Sequence, residues 1–226
     1  GAGNTVDNAG GGGGGGAHTE VVVKYDPGDI WEVHVGSGGS PGAALGTDSS
    51  GDSNQAGEDG ANGTDTKVVL LSAVQNHTSK ISNPVIAYAR AGAGGEGSAD
   101  LVDGGGGGLG GRGDLSTSQI NYNHSNIIYQ SGDLVSFKSY DGAAGSIKKI
   151  GNLAGGFGGG SYVGGRGGRG TTGMDVADAR NGNFPGAGGG GGGPTTGPID
   201  HIKGGYGADG YVTIEYNNDT RSLSPA

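Results

Sequence analysis

The chain has 226 residues, 59 of them glycine, with 13 basic against 22 acidic side chains and a formal net charge of −9. Glycine stands near four times its usual share of about 7%, and hydrophobic residues make up only 31%, too few for a conventional core of large close-packed side chains. The charge argues against nucleic acid and against anionic membrane surfaces, no stretch approaches the roughly 18 consecutive apolar residues of a bilayer span, and without cysteine the fold holds without disulfides.

The sequence opens on a glycine block at 10–16, and two more follow at 104–108 and 188–193. Shorter runs surround Phe157, Arg166 and Arg169. Between the blocks lie short segments rich in Val, Ile and Tyr, the residue types that favour strands.

The first, residues 19–35, reads as a β-hairpin. Val21, Val22 and Val23 lead into Asp26-Pro27-Gly28-Asp29, where Pro presets φ near −65° and Gly accepts positive φ, the requirements of a type II turn. The return strand alternates, with Trp31, Val33 and Val35 on one face and Glu32 and His34 on the other, and Trp31 and Val33 are expected to face a strand core. Further strands are expected at 66–74, 84–90, 125–129, 134–140, 147–150 and 211–216. No segment sustains apolar residues at i, i+3, i+4 and i+7, so almost no α-helix is expected. A faint repeat relates residues 25–30 to 129–134. Two related halves, 1–108 and 109–216, would account for it, and chance accounts for it equally. One glycine-rich domain over 1–216 with a C-terminal tail at 217–226 is the expected organisation. The sequence begins without an initiator Met or a signal peptide, and a processed product or a fragment is expected.

The glycine blocks admit two readings. Glycine loses the most conformational entropy on ordering, which favours flexible linkers. Linkers seldom recur between so many strand segments, however, because long structureless loops are uncommon in compact chains. An ordered block has few forms open to it. Collagen needs a persistent Gly-X-Y register with abundant Pro, and only seven prolines are present. A strand of glycine has no side chain to pack. The remaining form is the extended polyglycine II helix, with three residues per turn and about 3.1 Å rise, so that 10–16 spans about 22 Å. Such a helix bonds nothing within itself, so its N–H and C=O groups pair with neighbouring helices. The expected fold is therefore irregular plus β: polyglycine II helices packed in layers with short antiparallel β-hairpins.

The order glycine block, short strand, Pro-Gly-Asp turn and a strand ending Val35-Gly36-Ser37-Gly38-Gly39, closing with Gly207-Ala208-Asp209-Gly210-Tyr211-Val212-Thr213-Ile214-Glu215-Tyr216, resembles the glycine-rich domains of phage tail fibres. Similar domains occur in some bacterial surface proteins. More loosely, the sequence is similar to the adhesins at the tips of T-even-like tail fibres, in which layers of polyglycine II helices carry variable loops that touch the host receptor. The resemblance covers both ends of the chain and is patchy between about 45 and 185. It implies a viral structural protein in the virion, or an extracellular one. Its partners would be other fibre subunits, a homotrimer or a single chain being open, and a host surface protein or glycan. A structural subunit of a virion or filament without receptor role is the alternative.

The side chains suggest binding rather than catalysis. His18, His34, His77, His124 and His201 are scattered with no metal-ligand spacing. No nucleophile elbow or Walker motif is present, so no enzyme activity, cofactor or structural metal is expected. Asp48, Asp52, Asp59 and Asp65 form the one oxygen-rich segment that could hold calcium, and the preferred reading is a solvated acidic loop. Arg112-Gly113-Asp114, the single calcium-repeat match at 204–212 and the sequons at Asn62, Asn76, Asn123 and Asn218 are weak matches in such a composition. The receptor-binding candidates are Phe157, Tyr162, Arg166, Arg169, Arg180 and Phe184, because aromatic residues and arginine dominate recognition hot spots and here sit in glycine-rich loops. The same aromatics would equally serve to shield the ends of glycine helices.

Overall fold

The computed structural model describes residues 9–23, 29–43, 57–72, 85–97, 108–111, 134–146, 155–171, 179–193 and 203–216. These hold five strands and no helix: β1 (His18–Val23), β2 (Ile30–His34), β3 (Thr66–Ser72), β4 (Val85–Ala89) and β5 (Leu134–Tyr140). Strand-favouring residues sit where β3, β4 and β5 form. The candidates at 125–129 and 147–150, and the turn at 26–28, lie outside the described residues.

Two expectations are corrected. β1 and β2 do not form a hairpin. β1 pairs antiparallel with β5, setting Val21 against Phe137, while β2 pairs antiparallel with β3, setting Val33 against Val68, and β3 with β4. Residues 211–216 join no ladder, and Tyr216 is 74% exposed. The reason for the first lies in the glycine runs that feed these segments.

The run 10–17 shows how those runs pack. The N–H groups of Gly10, Gly13 and Gly16 donate to the carbonyls of Gly192, Gly189 and Gly186 at 2.8, 2.9 and 2.7 Å. Those of Gly11, Gly14 and Ala17 donate to Glu96, Ala93 and Arg90, and those of Gly12 and Gly15 to Ser146 and Ala143. Every third donor meets the same antiparallel neighbour, three residues further back each time. This is the threefold repeat of polyglycine II, in which successive residues rotate by a third of a turn. Two more neighbours donate to the same run in parallel register: Gly108 and Gly111 to the carbonyls of Gly12 and Gly15, and Gly156 and Gly159 to those of Gly10 and Gly13. Runs 165–171, 179–183 and 203–210 extend the lattice, through Gly168 to Gly188, Gly190 to Arg180 and Gly205 to Gly190.

Such packing requires bare Cα atoms. A Cβ added at Gly12, Gly14 or Gly15 would come within 3.0 Å of the backbone of Phe157, Leu109 or Gly160. The core is accordingly backbone. Among the described residues its buried apolar side chains are Ala9, Val68, Val69, Tyr88, Ala179 and Ala187.

Six runs close a ring. Run 10–17 bonds to 90–97, which accepts from 57–65 through Gly60 to Gly95 and Gly63 to Gly92. Run 57–65 donates to 36–43 through Glu58 to Ala43, Ala61 to Ser40 and Thr64 to Ser37. Run 36–43 accepts from Gly207 and Gly210, run 203–210 pairs with 186–193 through Ala208 to Ala187, and 186–193 returns to 10–17. The strands continue the ring at one end: 10–17 leads into β1, 90–97 follows β4, 57–65 leads into β3, and 36–43 follows β2. The strand order therefore follows the ring. Adjacent runs give the sheet β2-β3-β4, and the Thr19 hydroxyl of β1 donates to the Tyr88 carbonyl of β4 at 2.7 Å. β1 and β2 sit on non-adjacent runs, which is why the hairpin read from sequence does not form.

Candidate functional site

The outer layer beyond the ring consists of runs 165–171 and 179–183, held antiparallel by the Arg180 N–H on the Arg169 carbonyl (2.8 Å) and the Asn183 N–H on the Arg166 carbonyl (2.9 Å). Residues three apart share a face of a threefold helix. Gly165 and Gly168 are buried, while Arg166 and Arg169 are exposed, as are Arg180 and Asn183 opposite them. Three of the sequence candidates are thus gathered on one face, held by the backbone lattice beneath, and no carboxylate pairs with them among the described residues. Lys203, exposed on the neighbouring run 203–210, lies beside this layer, its carbonyl accepting the Ala179 N–H at 3.1 Å. Asn181, one residue on from Arg180, turns its side chain to run 203–210 instead, the side-chain oxygen accepting from the Tyr206 N–H at 2.9 Å.

Tyr162 and Phe184 occupy the turns that end runs 155–161 and 179–183. Tyr162 stacks on Tyr140 of β5 with ring centroids 3.7 Å apart and planes 6° from parallel, and His18 of β1 stacks beyond them. A hydrogen bond with the Tyr140 side chain pushes the Tyr162 phenol above its ordinary pKa of 10.0. Phe184 packs at a tilt on Tyr211, 5.8 Å between centroids, and stays 65% exposed. Phe157 sits apart, in run 155–161, where its N–H donates to the Ser146 hydroxyl at 2.6 Å and its ring is exposed. The sequence reading missed Tyr140, His18, Tyr211 and Lys203. Nothing local marks them, because pairing between distant runs brings them to the candidates.

The acidic segment has a different occupation. The carboxylate of Asp65 accepts from the Ala91 N–H (2.8 Å) and from the Tyr88 hydroxyl, and that of Asp59 accepts from the Gly97 N–H (2.7 Å). Asn62, midway between, accepts from the Gly94 N–H at 2.8 Å. Side chains at every third position of run 57–65 thus serve every third donor of run 90–97. Asp48 and Asp52 lie outside the described residues, as do His77, His124, His201, residues 112–114 and the other sequons. Among the described residues no group of three acidic or histidine side chains is placed to hold a metal ion, and no helix is long and apolar enough to cross a membrane.

The interior of the ring is a separate feature. A cavity of about 1190 Å³ is lined by residues of all six ring runs and, among the strands and the segment 211–216, by Trp31, Val68, Val212 and Ile214. Trp31 faces this space half-buried, whereas Val33, expected in the same core, is 40% exposed. Thr66, first residue of β3, reaches into the ring and accepts the Gly36 N–H on its hydroxyl at 3.0 Å.

A backbone lattice of this kind, with short strands at one end, defines a glycine-rich domain. The chain belongs to the glycine-rich domain family, whose model matches residues 1–217. No curated protein matches the sequence at a significant level.

Proposed function

We propose that this domain is a virion or extracellular attachment module of the tail-fibre type, which binds an anionic glycan or surface protein of a bacterial host through its outer layer. The observation that carries the reading is the set Arg166, Arg169 and Arg180, exposed on adjacent runs of a rigid backbone lattice in a protein of net charge −9. A cationic face on an acidic chain is a local feature. Arginine forks match carboxylate and phosphate groups with two parallel hydrogen bonds. Repetition every three residues sets Arg166 and Arg169 about 9 Å apart along the run, a spacing suited to a polymer with regularly placed charges. Tyr162 and Phe184, on turns at the edge of the same layer, add apolar contact surface of the kind that sugar rings and protein surfaces take up.

The reading is tested by incubating the purified chain with outer-membrane fractions from a panel of bacteria. Retention on a subset of strains is expected, together with competition against phage adsorption on those strains. The variant carrying R166A, R169A and R180A should lose retention at an unchanged melting temperature, since exposed substitutions seldom shift stability by more than about 0.5 kcal/mol. Failure to bind any fraction, or equal binding by the triple variant, overturns it.

A further inference from the structure

In the ring, every second run turns donors inward. The N–H groups of Gly92 and Gly95 on run 90–97, of Gly39 on run 36–43 and of Gly189 on run 186–193 line the cavity and donate to no group among the described residues. Gly95 and Gly189 are buried, and a buried backbone N–H without a partner is rare, because it forfeits its hydrogen bonds to water. The three alternate runs turn bare Cα atoms inward instead. A Cβ at Gly13 would have its nearest neighbours at 3.6 to 3.8 Å, on Ala93 and Gly189, and one at Gly60 at 3.4 to 3.6 Å, on Ser40 and Gly95. These neighbours all belong to the flanking runs, and no hydrogen bond among the described residues crosses the ring. The interior is one lattice position surrounded by six helices and left open.

We infer that this position receives a glycine-rich segment of a partner polypeptide other than a second copy of this chain, in the same threefold extended form. Donor rows on three alternate runs match the carbonyl rows of a threefold helix, which emerge every third residue along three directions. Thr66 already meets the first inward donor, Gly36, at one end of the ring, and the donors beyond it await carbonyls. Glycine is required of the guest for the reason it is required of the hosts: a side chain would collide with their backbones. Insertion of this kind completes backbone pairing between chains as strand addition does at a sheet edge.

The test uses the whole chain and a fluorescent, serine-flanked peptide whose glycine run is as long as 10–17. Saturable binding is expected, with amide NMR shifts at Gly39, Gly92, Gly95 and Gly189. The substitutions G13L and G60L, whose side chains enter the ring interior, should weaken binding at least about tenfold while melting stays close to wild type. An alanine-run peptide should bind at least about tenfold more weakly than the glycine one. If G13L does not fold, the smaller G13A and the NMR shifts carry the test. Absence of saturable binding, shifts confined to other residues, or undiminished binding by the plugged variants overturns the inference. Self-association of the purified chain, abolished by G60L and read as mass by light scattering, would put a second copy in the partner's place and overturn the assignment to a different chain.

Discussion

The pair Gly13→Ala and Gly14→Ala separates a backbone lattice from a merely glycine-rich chain. The two residues are neighbours in a block of identical sequence, so composition and propensity predict the same effect for both. The structure predicts opposite signs. At Gly13 a methyl group meets ordinary contacts, the nearest being Ala93 O at 3.6 Å. Alanine there reduces the freedom of the unfolded chain and should stabilise by about 0.4–1 kcal/mol. At Gly14 the methyl group overlaps the Leu109 carbonyl, and one of two backbones must move. Overpacking of this kind costs about 1–3 kcal/mol. The displacement also strains the hydrogen bonds from Gly14 to Ala93 and from Ala93 to Leu109, both 2.9 Å, each contributing about 1 kcal/mol. Net of the entropic gain, Gly14→Ala should destabilise by about 2–4 kcal/mol. For a domain of this size 1 kcal/mol corresponds to about 2–4 °C, so melting followed by circular dichroism should rise by roughly 1–4 °C for Gly13→Ala and fall by roughly 5–15 °C for Gly14→Ala. Equal melting temperatures, or a lower one for Gly13→Ala, would refute the lattice.

Three further outcomes are expected. Asp65→Ala should lower stability by about 1–3 kcal/mol, because it leaves the Ala91 N–H and the Tyr88 hydroxyl without their acceptor; calcium, if added, should not restore the melting temperature. Tyr162 should titrate above an ordinary phenol, its neutral form being favoured by the Tyr140 hydrogen bond. That contribution to stability is present below the unfolded tyrosine pKa and is lost as pH rises through the folded value. Tyr140→Phe should bring the ultraviolet titration of Tyr162 back towards the ordinary value, and an unchanged curve would count against that hydrogen bond. Inserting one glycine after Gly13 turns the later donors of run 10–17 by a third of a turn, away from their acceptors. Inserting three restores the facing, so the single insertion should lower the melting temperature more than the triple one.

What could be read from the sequence follows from where its information is local. β3, β4 and β5 are rich in Val, Leu, Ile, Phe and Tyr, and β-branched and aromatic side chains favour strands wherever the chain takes them. The extended form of the glycine blocks followed by elimination, since collagen lacked its register and a sheet lacked side chains. Strand pairing was not local. The residues at 26–29 have the chemistry of a tight turn, yet the partners of β1 and β2 are set by which glycine runs lie side by side. A glycine run carries no side-chain label to say which neighbour it will meet.

One label was present and was read as composition, with no period applied. Asp59, Asn62 and Asp65 look like a solvated acidic loop or a calcium segment when counted as composition. Counted by threes, they form a single row, and that row meets Gly97, Gly94 and Ala91, themselves a single row. The same count puts Arg166 and Arg169 on the exposed face of the run that buries Gly165 and Gly168. It also marks Gly13 and Gly16, whose added Cβ atoms would have room, apart from Gly12, Gly14 and Gly15, whose Cβ atoms would not. In helices and strands the periods of 3.6 and 2 sort residues into core and surface by hydrophobicity. Here the period is 3, and the sorting variable is the presence of any side chain at all. A polar or charged residue at the third position of a glycine run therefore has two places to go: onto the donors of an adjacent run, as at Asp59, or outward to solvent and to whatever binds there, as at Arg166. The step of three sets which residues share a row. Which way the row faces depends on the neighbouring run, and so it became legible only once the ring was assembled.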